Sequence, residues 1–378
     1  MTAIIHPKPA PAASTVAQPA RRQFGFDIAR ALAVFGMVIV NFKIVMGAEN
    51  QGPQWLARLV GLLDGRAAAT FVVLAGVGMS LLSRRARLSG DGRAMAAKRT
   101  ALLKRAAFLF CFGLAYAPLW PADILHFYGI YLLIGVCLLN APDRRLWSLA
   151  AAFVIGFVVL LFVFDYDRGW DWDSLTYVDF WSAAGMVRHL VFNGFHPVVP
   201  WTAFLLVGIW LGRRDMTDPA VRRKIFAGGL AATLLAETAS RVLTPWMLTH
   251  FAGQDPVDIQ ALCGTAPIPP MPFYMLSAGG TALMLIVACV MLTDNISAAR
   301  RVFNPLITTG QFALTFYVAH VVFGMGALEA LGRLNNQDLP TAVGSALCFC
   351  ALGVTAAVVW RRFFDRGPLE WVLRKITA

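Results

Sequence analysis

Three histidines raise the chemical question in this chain. His126, His196 and His320 are half of the six histidines in 378 residues. Imidazole changes charge near neutrality, so these side chains suit general acid or base work at a reacting centre. Other polar residues keep them company. Asp123 opens the run Asp123-Ile-Leu-His126, and Trp201 closes the run His196-Pro-Val-Val-Pro-Trp201. Asp64 and Arg66 flank one glycine, and Arg30 and Asn41 lie eleven residues apart in one apolar stretch. Each has a plainer reading. A lone histidine can be an interfacial residue bonded to a neighbouring carbonyl, and Asp64–Arg66 can be a helix-start pair.

The elements that must position these residues are membrane helices. The chain is 58% hydrophobic and only 14% charged, with a mean hydropathy of +0.63. Soluble domains are about 25% charged. Continuous apolar runs of about 20 residues match the thickness of a hydrocarbon core. Backbone in lipid must satisfy its own hydrogen bonds, so such runs are helices; the alternating ten-residue pattern of a β-barrel is missing. The fold class is therefore all-α, a polytopic helical bundle. Ten spans are expected, at 24–46, 67–83, 101–119, 123–140, 146–164, 199–212, 225–246, 272–293, 304–330 and 341–360. Residues 1–22 read as a disordered cytoplasmic tail without the apolar core of a signal peptide, and 23–378 as a single transmembrane domain.

Lysine and arginine orient the bundle. With the N-terminus inside, the inner segments carry 25 of them and the outer loops five. That bias predicts both termini inside, in a bacterial cytoplasmic (inner) membrane. The net charge of +12 sits in short clusters between spans, not on a continuous basic face, so no nucleic-acid partner is expected. Five of six cysteines lie in apolar runs, where the thiol acts as a small hydrophobe. Neither a metal nor a disulfide framework follows from their spacing. No internal repeat is visible, and oligomeric state is not legible.

Depth then sorts the polar residues. At 1.5 Å rise per residue, Asn41 lies about 16 Å beyond Arg30, in the outer half of the first span. Asp64–Arg66, Asp123–His126, His196–Trp201 and His320 fall at a similar outer depth. Glu237 and Arg241 form an i,i+4 pair on one helix face. The segment 84–105 reads as a cytoplasmic loop and holds eight lysines and arginines, which set topology and suit a phosphorylated ligand. The outer loop 165–198, rich in aspartate and aromatics, reads as an interfacial segment.

Several motifs resemble the YeiB-like membrane proteins, a family (domain of unknown function 418) related to transmembrane acyltransferases of the heparan glucosaminide N-acetyltransferase type. The resemblance rests on Phe26-Asp27 through Arg30 to Asn41, Asp64-Gly-Arg66, Asp123-Ile-Leu-His126-Phe-Tyr-Gly129, Pro200-Trp201, Gly310-Gln-Phe-Ala-Leu-Thr-Phe-Tyr317 and Gly367-Pro-Leu-Glu370-Trp. It implies that acyl-CoA binds from the cytoplasm as donor substrate and that the acyl group reaches a sugar or lipid acceptor on the far side. In the related bacterial O-acetyltransferases a histidine follows the arginine of span one; here that position is Asn41. The base must then come from His126, His196 or His320. On this reading His126, His196, Asp64 and Asn41 are catalytic candidates. Arg30, Arg66, Asp123, Trp201 and His320 are binding candidates. The competing readings are a transporter or exporter of a small metabolite or lipid precursor, using Glu237, Arg241 and the histidine layer, and a non-catalytic scaffold or sensor.

Overall fold

The computed structural model describes residues 23–49, 51–251, 253, 255–294 and 297–377. The expected tail, 1–22, lies outside the described residues. The architecture is all-α. Helix α1 (Gly25–Val45) leads to a short α2 (Gln54–Gly61), then α3 (Arg66–Ser89), α4 (Gly92–Tyr116), α5 (Leu125–Leu138) and α6 (Asp143–Val163). A two-stranded hairpin follows, β1 (Trp170–Asp171) against β2 (Thr176–Tyr177). Next come α7 (Ala183–Arg188), a π-helical turn His189–Asn193, α8 (Val198–Leu211), α9 (Pro219–His250), α10 (Pro256–Cys263) and α11 (Pro272–Asp294). The chain ends through α12 (Ser297–Gln311), α13 (Ala313–Ala319), a second π-helical turn His320–Met325, α14 (Gly326–Ala330), α15 (Leu339–Trp360) and α16 (Pro368–Thr377).

Six helical stretches are long and apolar enough to cross a bilayer, and a seventh crossing follows if Ala183–Asn193 and Val198–Leu211, bent by 50°, form one span. The other expected spans fall short of that test. Helix α5 has 14 residues. The first half of α4 carries Arg93, Lys98, Arg99, Lys104 and Arg105, and α9 carries Arg222, Arg223, Lys224, Glu237 and Arg241. The basic segment 84–105 is not a loop: α3 runs to Ser89 and α4 starts at Gly92, so those cations extend two helices. The ninth expected span is broken at Phe312, and Ala313–Ala330 continues as one helical stretch through the π-helical turn at His320. The outer segment 165–198 folds into the hairpin, α7 and the first π-helical turn.

Outward faces confirm the solvent. Phe162, Leu235, Val242 and Leu352 are each more than half exposed, an arrangement that lipid tolerates and water does not. The chain is an integral membrane protein. Its centre is α1, which packs on α3, α11, α12 and α15, while α3 packs on α8 and α11, and α4 pairs with α5. Small residues permit the closest approaches. A Cβ on Gly76 would strike the Leu205 carbonyl, and one on Gly208 would strike that of Val73. Likewise a Cβ on Gly310 would strike the Asp27 carbonyl of α1.

Candidate functional site

The site begins with a cavity of about 690 Å³ among α1, α3, α4, α5 and the C-terminal helices, at the end expected to face the cytoplasm and therefore termed the inner cavity. Five cations line it: Arg30, Lys98, Arg105, Arg366 and Arg374. Its carboxylates, Asp27 and Glu370, are engaged. Arg30 Nη1 donates to Asp27 Oδ1 at 2.8 Å and to the Gly310 carbonyl at 3.2 Å. Gln311 Nε2 donates to Asp27 Oδ2 at 3.3 Å. The helix break at Phe312 frees backbone N–H groups, and Glu370 satisfies them. It accepts from Leu314 N at 2.8 Å, Thr315 N at 3.0 Å and Thr315 Oγ1 at 2.6 Å. The cavity thus keeps an excess of positive charge. Lys98 and Arg105 are the residues of the basic segment that reach it.

The outer cavity, named for the expected orientation, has a volume of about 450 Å³ and is lined by Asn41, Trp120, His196, Trp201 and Pro267, among others. Asn41 Nδ2 lies 2.9 Å from His320 Nε2. His320 Nδ1 is hydrogen-bonded to the Tyr317 carbonyl. A carbonyl can only accept, so Nδ1 carries the proton and Nε2 accepts from Asn41. His320 is fully buried and spends both ring nitrogens on this network. His196 lines the cavity with its ring against Trp201, centroids 4.7 Å apart. Its Nδ1 is buried and has no partner among the described residues; the same holds for the indole Nε1 of Trp120 and Trp201.

One residue, Tyr317, lines both cavities. Ile124 faces the outer cavity and Leu125 the inner one. The wall between them is braced by Asp123, which is 0% exposed. Asp123 Oδ2 accepts from Leu125 N at 2.9 Å, His126 N at 3.2 Å and His126 Nδ1 at 2.9 Å, and Oδ1 accepts from Tyr317 Oη at 3.3 Å. Tyr317 Oη in turn accepts from Ile124 N at 3.3 Å. Gly113 of α4 makes room for this node, since a Cβ there would strike His126 N.

The fold separates several residues that proximity in sequence had grouped. Asp64 does not pair with Arg66. Both of its oxygens lie 2.9 Å from Lys43 Nζ. Arg66 Nη2 instead reaches across to Glu237 Oε1 at 2.6 Å and to Ser277 Oγ at 3.1 Å. The expected Glu237–Arg241 pair is absent among the described ion pairs, and Arg241 is exposed. His126 borders neither large cavity. Its ring lies beside His189, 5.7 Å between centroids, and its Nε2 is buried without a partner among the described residues. Two residues escaped the candidate set. Tyr317 showed as a polar residue within a span, but its place in the wall needs the fold. His189 had only its residue type to signal it.

Comparison with known proteins bears on this geometry. Residues 22–250 match the family described as heparan-alpha-glucosaminide N-acetyltransferase, catalytic. Residues 266–378 match a protein family of unknown function, DUF418. The site draws on both regions: α1, α3, α4, α5 and His196 come from the first, and Gly310, Tyr317, His320 and Glu370 from the second. Two uncharacterised bacterial proteins align over nearly the whole chain. YxaH of Bacillus subtilis (strain 168) is 23% identical over 93% of both chains. YeiB of Escherichia coli (strain K12) is 23% identical over 94% of this chain and 96% of its own. With the first match covering more than half of the sequence, the chain belongs to the heparan-alpha-glucosaminide N-acetyltransferase (catalytic) family, and its C-terminal match and the two relatives aligned over nearly its whole length make it a YeiB-like (DUF418) membrane protein.

Proposed function

We propose that this protein is a membrane-bound acyltransferase that takes acyl-CoA at the inner cavity and delivers the acyl group to a sugar or lipid acceptor in the outer one. The carrying observation is the pair of cavities on opposite sides that share Tyr317 as a wall. The inner one is the cationic one, as a donor with several phosphates requires. Among the described residues Arg30 lines the inner cavity, Asn41 the outer one and His126 neither, and the two cavities back onto one wall. Transfer therefore needs the thioester to reach that wall from inside.

The chemistry then divides among named groups. Arg30, Lys98 and Arg105 hold donor phosphates. His196 is the base, because its ring lines the outer cavity, whereas both ring nitrogens of His320 are engaged. It takes the proton of the acceptor hydroxyl or amine as that atom attacks the thioester carbonyl. The carbon–sulfur bond breaks, and the CoA thiolate leaves on the inner side and is protonated there. Trp120 and Trp201 line the same cavity, and a turn of either ring would bring its unpartnered, buried indole N–H to the developing oxyanion. Asn41 and His320 form one network beside Tyr317 and position the wall. Arg66, tied to Glu237, positions α3. Asp123 and His126 brace the wall and touch neither substrate. This scheme goes with ten membrane crossings and both termini on the cytoplasmic side of a bacterial inner membrane.

The test uses purified protein in nanodiscs, with acetyl-CoA binding and hydrolysis as readouts. Arg30→Ala should weaken donor binding about tenfold, the size of one charge-assisted contact. His196→Ala should leave donor binding intact and lower acyl release by a hundredfold or more, the usual weight of a general base. If the parent protein neither binds nor hydrolyses acetyl-CoA, the assignment fails. Substrate uptake in proteoliposomes under the same conditions would then favour transport.

A further inference from the structure

Beneath the β1–β2 hairpin lies a second outer cavity of about 160 Å³, room for roughly five waters. Its walls are aromatic rings set nearly at right angles. Trp170 crosses Tyr177 at 86° and Phe195 at 74°, and Phe180 crosses Trp181 at 88°. Rings crossed this way are adjoining walls of a box. His189 completes it, 2% exposed, with an Nδ1 that has no partner among the described residues.

Two polar edges of the box are already spent. Trp170 Nε1 donates to the Asn193 carbonyl at 2.6 Å. Tyr177 Oη donates to Asn193 Oδ1 at 2.8 Å and accepts from Arg188 Nε at 2.7 Å. A hydroxyl-rich ring entering here would lose its water with little to replace it, at a cost for each unmet group. A cation needs no such replacement, because aromatic faces attract it. The local field agrees. The segment 165–198 carries Asp165, Asp167, Asp171, Asp173 and Asp179 against Arg168 and Arg188; Arg188 is paired with Asp179 and lies 5.4 Å from the Tyr177 ring centre, which leaves a local excess of negative charge in a chain whose net charge is +12. Hydrogen bonds from Ser174 hold Asp171 below the usual carboxylate range, so it stays charged. Pro121, Leu175 and Phe195 line both this box and the larger outer cavity, so the two adjoin.

We propose that the aromatic box binds a substituted ammonium group, whose carrier extends into the adjoining outer cavity. This holds independently of acyl transfer. The ammonium comes either from a free metabolite or from a lipid headgroup.

Equilibrium binding of radiolabelled choline to the purified full chain tests it, with dimethylbutanol, the neutral carbon isostere of choline, as competitor. Choline should bind saturably, and the alcohol should compete at least fivefold more weakly. Trp181→Leu should weaken choline binding about fivefold, the ratio expected for one cation–π contact. Trp181 is 64% exposed, so the unfolding temperature should stay unchanged; Phe180→Leu serves as a second variant. In nanodiscs, loss of choline binding on exchanging phosphatidylglycerol for phosphatidylcholine assigns the lipid headgroup as source. Binding unchanged by that exchange assigns a free ligand. Equal competition by the alcohol means an apolar pocket and overturns the proposal. So does binding of methyl glucoside without choline, no choline binding at all, or a Trp181→Leu protein that binds choline like the parent.

Discussion

Removing the carboxylate of Asp123 should cost more than removing the hydroxyl it holds. Asp123→Ala strips the acceptor from four donors: two backbone amides at the start of α5, His126 Nδ1 and Tyr317 Oη. All four are shielded from water, and each orphaned donor costs about 1–3 kcal/mol. Part of that is offset because a buried charge leaves with the carboxylate. The net expectation is about 3–5 kcal/mol, the range for breaking a buried charged pair. At about 2.1 cal/mol/K of unfolding entropy per residue, 378 residues give roughly 0.8 kcal/mol/K, so Tm should fall by about 5 °C. Tyr317→Phe loses only a 3.3 Å bond to Asp123 and a 3.3 Å bond from Ile124 N. At about 1 kcal/mol for each of these two long bonds that is about 2 kcal/mol, or roughly 2–3 °C. Together the two substitutions should cost less than their sum, because they share one bond. The assay is thermal unfolding in detergent, read by size-exclusion of a fluorescent fusion. If Asp123→Ala does not accumulate, Asp123→Asn, which keeps one acceptor oxygen, should fall between parent and the alanine estimate. An Asp123→Ala or Asp123→Asn protein within 1 °C of the parent would refute the claim that this node braces the wall.

Two more outcomes test the packing. Gly208→Ala should cost roughly 2–3 kcal/mol, because its Cβ strikes the Val73 carbonyl and forces α3 and α8 apart. Gly78→Ala, on the same helix as Val73 but with open space around it, should be neutral or slightly stabilising in the same melt. Arg66→Ala strands Glu237 with two hydroxyl partners, and should cost about 3 kcal/mol. Adding Glu237→Gln should recover part of that loss, whereas an unchanged Tm in the single variant would show the pair to be idle.

What the sequence decided by itself was everything that hydropathy and charge count along one axis. Low charge and long apolar runs determine that the chain enters a membrane as helices, because lipid leaves backbone amides no other partners. The same one-dimensional reading put Asn41, His196 and His320 at one depth, and two of them line one outer cavity while the third is bonded to Asn41. It also drew attention to Arg30, which lines the inner cavity. Breaks were harder. The ends of α3 and α4 were hidden inside a basic run that read as a loop, because lysine and arginine are good helix formers as well as topology signals.

Which groups meet was decided only by the tertiary structure. Arg66 finds Glu237 171 residues away, and Asn41 finds His320 279 residues away. Asp64, two positions from Arg66, pairs with Lys43 instead, since residues two apart on a helix or turn do not face each other. His126 shares the depth of the other histidines yet points to His189 rather than to either cavity. Depth follows from solvation, which each residue negotiates alone with lipid or water. Rotation about the membrane normal follows from how helices fit, and contacts such as Gly208 on Val73 or Gly310 on Asp27 decide that fit. For that reason Tyr317, an unremarkable polar residue in an apolar run, becomes the one residue among those described that lines both the inner and the outer cavity.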